Sequence, residues 1–296
     1  MKYVITGSIG HISKPIVLKL IAAGHSLTVV TSSTDKKKEI EALGAKAAVG
    51  SIEDLNFLKT TFAEADAVYL MIPPKWTVTN WLEYQKSVAD NYAEAIKADN
   101  IKNVVLLSSV GAHMRKGAGP VDGTAYLEEK LLELKEVNSI FLRPSYFYYN
   151  LFSMIPMIKH AGIMGSAQGP DHKLVLAHTS DIAEAAAEEL LNLKFKGQSV
   201  RYIASDEHTW SEITKALGNA INKPALPYVE FTDEQSLQGM LQAGLSATIA
   251  EGYLAMGKAL RDGDMQADYW KNKPAKLGKV KLEDFAKEFA AVYNAG

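Results

Sequence analysis

The chain has 296 residues, of which 47% are hydrophobic and 22% are charged, a composition typical of a globular protein that buries a sizeable core. Its formal net charge of −2 gives no electrostatic attraction to nucleic acid or to an anionic membrane. The absence of cysteine excludes disulfides, thiolate catalysis and cysteine-ligated metal.

Neither a targeting segment nor a membrane span is expected from the sequence. The first strand candidate begins at Tyr3, which leaves no room for a secretory signal peptide ahead of it. No apolar stretch approaches the roughly 18 residues that a membrane-spanning helix needs. We therefore expect a cytoplasmic protein with no membrane or nucleic-acid partner.

Short apolar runs alternate with helical patterns through the first half of the chain. Each run is continuously apolar, which is typical of parallel strands buried on both faces. The runs cover residues 3–5, 27–30, 47–49, 68–72, 104–107 and 140–142. Between them, apolar residues recur at helical spacing, as at Ile12, Ile16 and Leu20. This alternation predicts an α/β protein with a Rossmann-type, doubly wound parallel sheet.

The pattern changes after Arg143. Residues 145–171 mix aromatic residues, Met, Gly and Pro, and predict irregular chain that forms a pocket. A strand over 173–177, a helix from Asp181, a strand over 200–203, a helix over 210–221 and mostly helix from Asp233 onwards are expected to follow. We predict a nucleotide-binding domain over 1–150 and a smaller, mainly helical substrate region over 151–296, with a boundary that the chain can cross.

The turn after the first strand has the spacing of a phosphate-binding turn. Gly7 suits a sharp reversal of the chain, Gly10 lets a pyrophosphate approach the backbone, and Ser13 is small enough for close helix packing. Pro15 falls in the first helical turn, where a proline is tolerated. A tight turn without a ligand is the alternative. The predicted dinucleotide contacts in this turn are Thr6, Gly7, Ser8, Ile9, Gly10, His11 and Ile12.

The second strand ends in hydroxyl groups rather than an acid. An acidic residue at this point would bind the ribose 2′-OH and repel a 2′-phosphate. The chain has Thr31, Ser32 and Ser33 here, and Lys36 lies close behind them. This pattern favours NADP(H) over NAD(H), although the lysines over 36–38 also fit a solvated helix face. Further along, the cofactor path is expected at the end of the fourth strand, along Ile72, Pro73 and Pro74.

Several segments carry a resemblance to a known family. "ITGSIGHIS" resembles the fingerprint of atypical short-chain dehydrogenase/reductases, and "NVVLLSSVGA", "SIFLRPSYFYYNLF" and "HTSDIAEAAAEEL" follow in the order of the NmrA-like branch. Over nearly the whole chain, the sequence is most similar to the NAD(P)H-dependent quinone reductase and triphenylmethane reductase group. The resemblance implies an NAD(P)H-dependent reductase. The chain departs from the family at Ser32, which is often Arg, and at Ser51, which is commonly an acid.

Tyr126 and Lys130 match the YxxxK pattern of short-chain reductases, with Ser108 and Ser109 upstream. Residues at this spacing share one helix face, so that the lysine can lower the pKa of a tyrosine that exchanges a proton with the substrate. The two serines are expected to contact the cofactor. This motif predicts Tyr126 and Lys130 as catalytic residues.

The resemblance implies a different register for this helix. NmrA-like relatives carry a glutamate fourteen residues before the Arg of the "LRP" element, which is Glu129 when counted from Arg143. Their functional His or Tyr lies four residues before that glutamate, and this position is Ala125 rather than Tyr126. Such relatives often transfer hydride directly, without a proton-donating triad. A catalytic Tyr126 and an accidental motif therefore both remain open.

An aromatic cluster follows Arg143 and suits a planar acceptor beside the nicotinamide, although inter-domain core is the alternative for much of it. The predicted substrate contacts are His113, Tyr146, Phe147 and Asn150. The histidines show no metal-ligand spacing, so no metal is expected.

These observations predict an NADPH-dependent oxidoreductase that passes hydride to a small aromatic or quinone-like acceptor, as a monomer or homodimer. The main alternative is a non-catalytic regulator that binds NAD(P) and reports redox state to a partner protein. A sugar-nucleotide epimerase is disfavoured by the register of the YxxxK motif.

Overall fold

Seven parallel strands form the central sheet of the protein, whose computed structural model describes residues 1–295. In chain order the strands are β1 (Lys2–Ile5), β2 (Ser26–Thr31), β3 (Lys46–Val49), β4 (Ala67–Leu70), β5 (Asn103–Leu107), β6 (Asn138–Pro144), β7 (Tyr146–Phe147), β8 (Met164–Ser166), β9 (Lys173–Ala177), β10 (Gln198–Ile203), β11 (Asp206–Thr209) and β12 (Tyr228–Glu230). The central sheet has the order β10-β6-β5-β4-β1-β2-β3. This order and the parallel pairing confirm the predicted Rossmann-type, doubly wound α/β fold.

Helices cover both faces of this sheet and form most of the remaining chain. They are α1 (Ser13–Ala22), α2 (Asp35–Ala42), α3 (Leu55–Phe62), α4 (Trp81–Ala98), α5 (Val121–Glu133), α6 (Ile155–Ala161), α7 (Thr179–Asn192), α8 (Trp210–Ala220), α9 (Asp233–Gln242), α10 (Ala247–Arg261), α11 (Asp264–Lys271) and α12 (Leu282–Ala295). Two 3₁₀ segments lie at Ala112–Met114 and Tyr148–Met154. Within residues 1–295, no helix has the length and apolar character needed to cross a membrane.

Each face of the sheet has its own hydrophobic core. On one face, Ile16 and Leu20 of α1 and Ile182 of α7 are buried against the strands. On the other face, Phe62 of α3 packs on Tyr92 of α4, with ring centroids 6.3 Å apart. The continuous apolar runs of the strands are explained by this burial on both sides.

The C-terminal region builds a third core beyond the carboxyl edge of the sheet. A three-stranded sheet (β11-β9-β7) and a two-stranded sheet (β12-β8) pack there against α8, α11 and α12 around Trp210 and Phe285. The chain also returns to the central sheet, because α7 packs beside α1 and β10 pairs with β6. Residue 150 therefore does not separate the chain into two segments that each form one domain, and the two-domain description stays a prediction.

Three local predictions need correction. Residues 145–171 are largely regular, since β7, a 3₁₀ segment, α6 and β8 lie within them. β4 ends at Leu70 rather than at residue 72, because the Met71 N–H donates to the Thr6 side chain. α7 begins at Thr179 rather than at Asp181, with His178 as its N-cap. The Asp181 carboxylate accepts hydrogen bonds from Ser205 and from the backbone N–H groups of residues 279 and 280.

Candidate functional site

The strand order reverses beside β1, which makes the carboxyl edge at β1 and β4 the expected place for a ligand in this fold. The parallel pairing brings to this one edge the turn after β1, the end of β2, the loop after β4 and the serines after β5. Ile72, Pro73 and Pro74 lie in the loop after β4, where the Pro73 carbonyl accepts a hydrogen bond from Tyr84. The residues predicted to contact a cofactor thus meet at one edge.

The turn after β1 requires glycine at Gly7 and leaves open space at Gly10. Gly7 has φ +88°, and a Cβ there would lie 2.7 Å from the Met71 side chain. At Gly10, a Cβ would meet no heavy atom within 4 Å. The Ser8 N–H donates to the Val30 carbonyl at 3.0 Å and fixes the turn against β2. The geometry provides the close backbone approach that a pyrophosphate needs.

The helix that follows is open to an anion at its N-terminus. Ile12 is the N-cap of α1 and makes no side-chain capping bond, and the first turn contains no acidic residue. In its first turn, the Lys14 N–H donates to the Gly10 carbonyl at 3.0 Å and Pro15 has no N–H, so a phosphate would be bound by the N–H groups of residues 11–13. Ser13 is buried, as the third small position of the turn requires, and Pro15 is the third residue of the helix. Thr6 is fully buried and joins β1 to β4, because its hydroxyl donates to the Tyr69 carbonyl at 3.1 Å.

At the end of β2, two lysines surround one glutamate. The Lys36 Nζ lies 2.8 Å from Glu39, and the Lys14 Nζ lies 3.2 Å from the other carboxylate oxygen. The hydrogen bonds from Lys36 and Lys14 lower the pKa of Glu39. Nearby, the Thr31 hydroxyl accepts hydrogen bonds from Ser8 Oγ at 3.1 Å and from the Ser33 N–H at 3.2 Å. Lys14 was not predicted from the sequence, because it belongs to α1 and reaches this edge only in the fold.

A buried ion pair stands behind the serines at the end of β5. Arg143 of β6 donates to Glu128 of α5 through Nε at 2.9 Å and Nη2 at 2.6 Å, and the Ser108 hydroxyl also donates to Glu128. Burial by itself would lower the pKa of Arg143, because it disfavours the charged guanidinium. The hydrogen bonds to Glu128 and its negative charge outweigh this effect and raise the pKa. Arg143 also donates to Tyr202 at 3.1 Å, so this pair locks β5, α5, β6 and β10 together. Ser109 donates to the neighbouring Val110 carbonyl.

The ion pair distinguishes the two adjacent glutamates of α5. The partner of Arg143 is Glu128, whereas Glu129, the glutamate expected from the resemblance, is partly exposed and lies 3.6 Å from Arg115. Thr124 lies one helical turn before Glu128 and Ala125 one turn before Glu129, and the register implied by the resemblance stays a prediction. Tyr126 is two residues from Glu128, about 200° around the helix.

Tyr126 and Lys130 face α4. The Tyr126 hydroxyl donates to Asp90 at 3.0 Å, and the Lys130 Nζ lies 3.3 Å from the same carboxylate. The ammonium groups of Lys130 and Lys86 lie over the Tyr126 ring. The structure does not bring this tyrosine together with Ser108, whose hydroxyl is bonded to Glu128. A structural role accounts for these contacts, and catalysis by the pair stays a prediction.

The predicted substrate residues divide between two environments. His113 is half-buried, and burial lowers its pKa. The negative charge of Asp268 acts in the opposite direction but has the smaller effect. Tyr146 is partly buried with its ring edge-on to Trp210 at 6.1 Å, while Phe147 pairs with β9. Asn150 is exposed beside Tyr149. The aromatic cluster is thus partly core, as in Tyr148, which is buried and stacks on Phe285 at 4.7 Å.

Two further features bear on where a ligand can bind. A cavity of about 490 Å³ lies at the amino ends of β1, β2 and β3, far from the edge described above. It contains none of the predicted site residues and does not bear on the chemistry proposed below. In the part of the chain that the structure describes, no group of three or more His, Asp or Glu residues is arranged to hold a metal.

Comparisons with known proteins give a family and a fold. The model of the NmrA-like family matches residues 2–286. Along 98% of the chain, the sequence is 24% identical to an NAD(P)H azoreductase of Xenophilus azovorans, of which 99% is covered.

Solved structures share the fold at lower sequence identity. The triphenylmethane reductase of a Citrobacter species, complexed with NADP(H), superposes with a TM-score of 0.78 at 15% identity, over 97% of this chain and 99% of that one. The NADPH-dependent quinone oxidoreductase of Escherichia coli, complexed with NADPH, gives a TM-score of 0.79 at 18% identity, again over 97% and 99% of the chains.

Proposed function

The chain belongs to the NmrA-like family, and on that premise we propose that it is an NADPH-dependent reductase that delivers hydride to a small planar aromatic or quinone-like acceptor. The open space at Gly10, beside the uncapped N-terminus of α1, carries this proposal. Three relatives support it by name, since an azoreductase, a triphenylmethane reductase and a quinone oxidoreductase all use NAD(P)H to reduce conjugated molecules.

The dinucleotide would be held along the carboxyl edge of the sheet. The backbone of the turn over 7–12 and the N-terminus of α1 would bind the pyrophosphate. When bound, NADPH supplies a hydride, which carries two electrons and one proton. Residues Ile72, Pro73 and Pro74 would line the path from the turn to the serines after β5.

A preference for NADP(H) over NAD(H) is part of the proposal. Ser32 and Ser33 present hydroxyl groups where an acid would repel a 2′-phosphate. Lys14 and Lys36 place two positive charges around the single charge of Glu39, which leaves an excess positive charge at this end of the site. A phosphate that competes for these ammonium groups would gain charge-assisted hydrogen bonds.

We assign the acceptor to the region of His113, Tyr146, Phe147 and Asn150. Half-buried rings in this region offer flat apolar surface for stacking. His113 is neutral near pH 7 because burial lowers its pKa, so it does not repel a cationic dye. Reduction of a quinone also consumes a proton, which water can supply, and hydride addition to a triphenylmethane cation needs none. Orientation rather than acid catalysis would then dominate.

The proposal is tested by NADPH oxidation against a panel of benzoquinones, naphthoquinones, azo dyes and triphenylmethane dyes. Turnover of at least one acceptor, with NADPH preferred over NADH, is the expected result. The hydrogen bond from Tyr126 to Asp90 is also consistent with the alternative of a non-catalytic regulator, because it occupies the hydroxyl that was expected to donate a proton. Tight NADP(H) binding without turnover of any acceptor would favour that alternative, in which the protein reports redox state to a partner protein.

A further inference from the structure

A second cavity, of about 430 Å³, lies behind the phosphate turn, between the N-terminal ends of α1 and α7 and one face of α12. His11 of the turn forms one wall, and Tyr149, Phe152 and Phe285 form most of the others. The acceptor residues proposed above, His113, Tyr146, Phe147 and Asn150, do not line it, although Asn150 directly follows Tyr149 of its wall. Its volume is within the range of small-molecule sites.

The aromatic rings of the cavity form a continuous wall. The His11 and Tyr149 rings have centroids 4.8 Å apart, Tyr149 meets Phe152 edge-on at 5.3 Å, and Phe152 contacts Phe285 at 5.3 Å. Tyr149 is 48% exposed, which is unusual for a ring in such a cluster and leaves its surface free for a ligand. A wall of this kind binds flat apolar rings.

One carboxylate, that of Glu288, lies in the wall of the cavity. His178 Nδ1 accepts a hydrogen bond from the Ser180 N–H at 3.2 Å, so Nε2 is the ring nitrogen that can donate to Glu288, at 3.3 Å. The negative charge of Glu288 therefore remains at the wall and repels an anionic ligand. The chemistry of the walls disfavours an anion.

We propose that this cavity binds a second small molecule, a flat aromatic compound without a negative charge, and that its occupancy is coupled to cofactor binding through His11. The coupling rests on the proposed cofactor site, because His11 lies between Gly10 and α1 and also forms a wall of the cavity. A ligand packed against the His11 ring acts on the turn that holds the phosphates. Such coupling is reciprocal, so the cofactor must change the affinity for the aromatic ligand by the same factor.

The test uses N-phenyl-1-naphthylamine, a neutral probe that fluoresces in apolar sites. We expect saturable one-to-one binding to the full-length protein. Val292→Trp fills the mouth of the cavity from α12 and is expected to weaken probe binding by about tenfold or more. Val200→Trp is the matched control, because Val200 on β10 is 44% exposed and Val292 is 46% exposed. Equal binding by the two variants, at equal melting temperature, would overturn the site.

Two further arms separate the parts of the proposal. The anionic analogue 8-anilino-1-naphthalenesulfonate is expected to bind about tenfold more weakly than the neutral probe, and equal affinity would overturn the exclusion of anions. NADP⁺ is expected to shift the probe affinity in the unaltered protein but not in His11→Ala. If NADP⁺ displaces the probe competitively and Val292→Trp does not change probe binding, the probe occupies the cofactor cleft and the second site is refuted. If Val292→Trp weakens probe binding but the protein binds no NADP⁺, the second site is supported and the proposed function is refuted.

Discussion

Gly10→Val is expected to abolish NADPH binding while leaving the fold intact. A Cβ at Gly10 meets no heavy atom within 4 Å, and the residue is not in the left-handed region, so valine fits the backbone without strain. The free energy of unfolding should therefore change by less than about 1 kcal/mol. The two additional methyl groups occupy the space through which a pyrophosphate would approach, and we expect a loss of affinity of about 100-fold, which corresponds to about 2.7 kcal/mol.

Calorimetric titration with NADPH and a thermal melt of the same preparation would measure both quantities. Gly239→Val is the matched control, because a Cβ at Gly239 of α9 also meets nothing within 4 Å and this helix is remote from the turn. By contrast, Gly7→Val should lower the melting temperature, since Gly7 has φ +88° and abuts Met71. NADPH affinity in Gly10→Val within about twofold of the unaltered protein would refute the assignment of the phosphate turn.

Four further outcomes are expected. Tyr126→Phe should change turnover by no more than about twofold. It should lower the free energy of unfolding by about 1 kcal/mol, because the Tyr126 hydroxyl donates a hydrogen bond to Asp90. A large loss in kcat would instead support a catalytic role for Tyr126. Glu128→Gln should destabilise the protein by about 3–5 kcal/mol in denaturant unfolding, and Glu129→Gln by less than about 0.5 kcal/mol, with the reverse order contradicting the register. Because the pKa of His113 is lowered in the folded protein, the unfolded chain takes up a proton at this residue first, and the free energy of unfolding falls as the pH drops through 6.5. In His113→Gln, the free energy of unfolding should fall less steeply with decreasing pH. An unchanged dependence would exclude His113 as a source of this loss of stability. Lys14→Ala should weaken NADPH binding by about tenfold and NADH binding hardly at all, whereas equal losses would remove Lys14 from 2′-phosphate selection.

Local features of the sequence predicted the sheet and the phosphate turn well. Each predicted apolar run falls within or overlaps a strand of the central sheet, and burial on both faces of that sheet explains why such runs appear in the sequence. Gly7 and Gly10 follow such a run and precede an amphipathic helix, so the whole βα unit lies within a single short segment. The prediction needed no distant contact.

The helix at Tyr126 could not be settled from sequence, because its partners lie elsewhere in the chain. Glu128 and Glu129 are adjacent and chemically alike, and only the packing of α5 against β6 shows which one meets Arg143. Tyr126 finds its partner on α4, at Asp90. The tyrosine–lysine spacing satisfies a catalytic motif and a surface helix contact equally well.

The cavity behind the turn was beyond sequence reasoning for a similar reason. Its walls come from His11, from Tyr149 after β7 and from Phe285 on α12, which are separated by more than a hundred residues each. The aromatic cluster after Arg143 predicts a pocket, but the direction of each ring depends on the C-terminal core. Tyr148 and Tyr149 are neighbours in sequence, yet one is buried and the other is about half exposed.

We expect hydride to pass directly from NADPH to a planar acceptor bound to this protein. The most direct test is reduction of a triphenylmethane dye with NADPH that carries deuterium on one face of the nicotinamide ring, followed by mass spectrometry of the colourless product. We expect one non-exchangeable deuterium on the central carbon from one of the two stereospecifically labelled cofactors and none from the other. Dye reduction that leaves no deuterium in the product with either label would refute direct hydride transfer, as would a protein that binds NADPH and reduces neither this dye nor any quinone or azo dye.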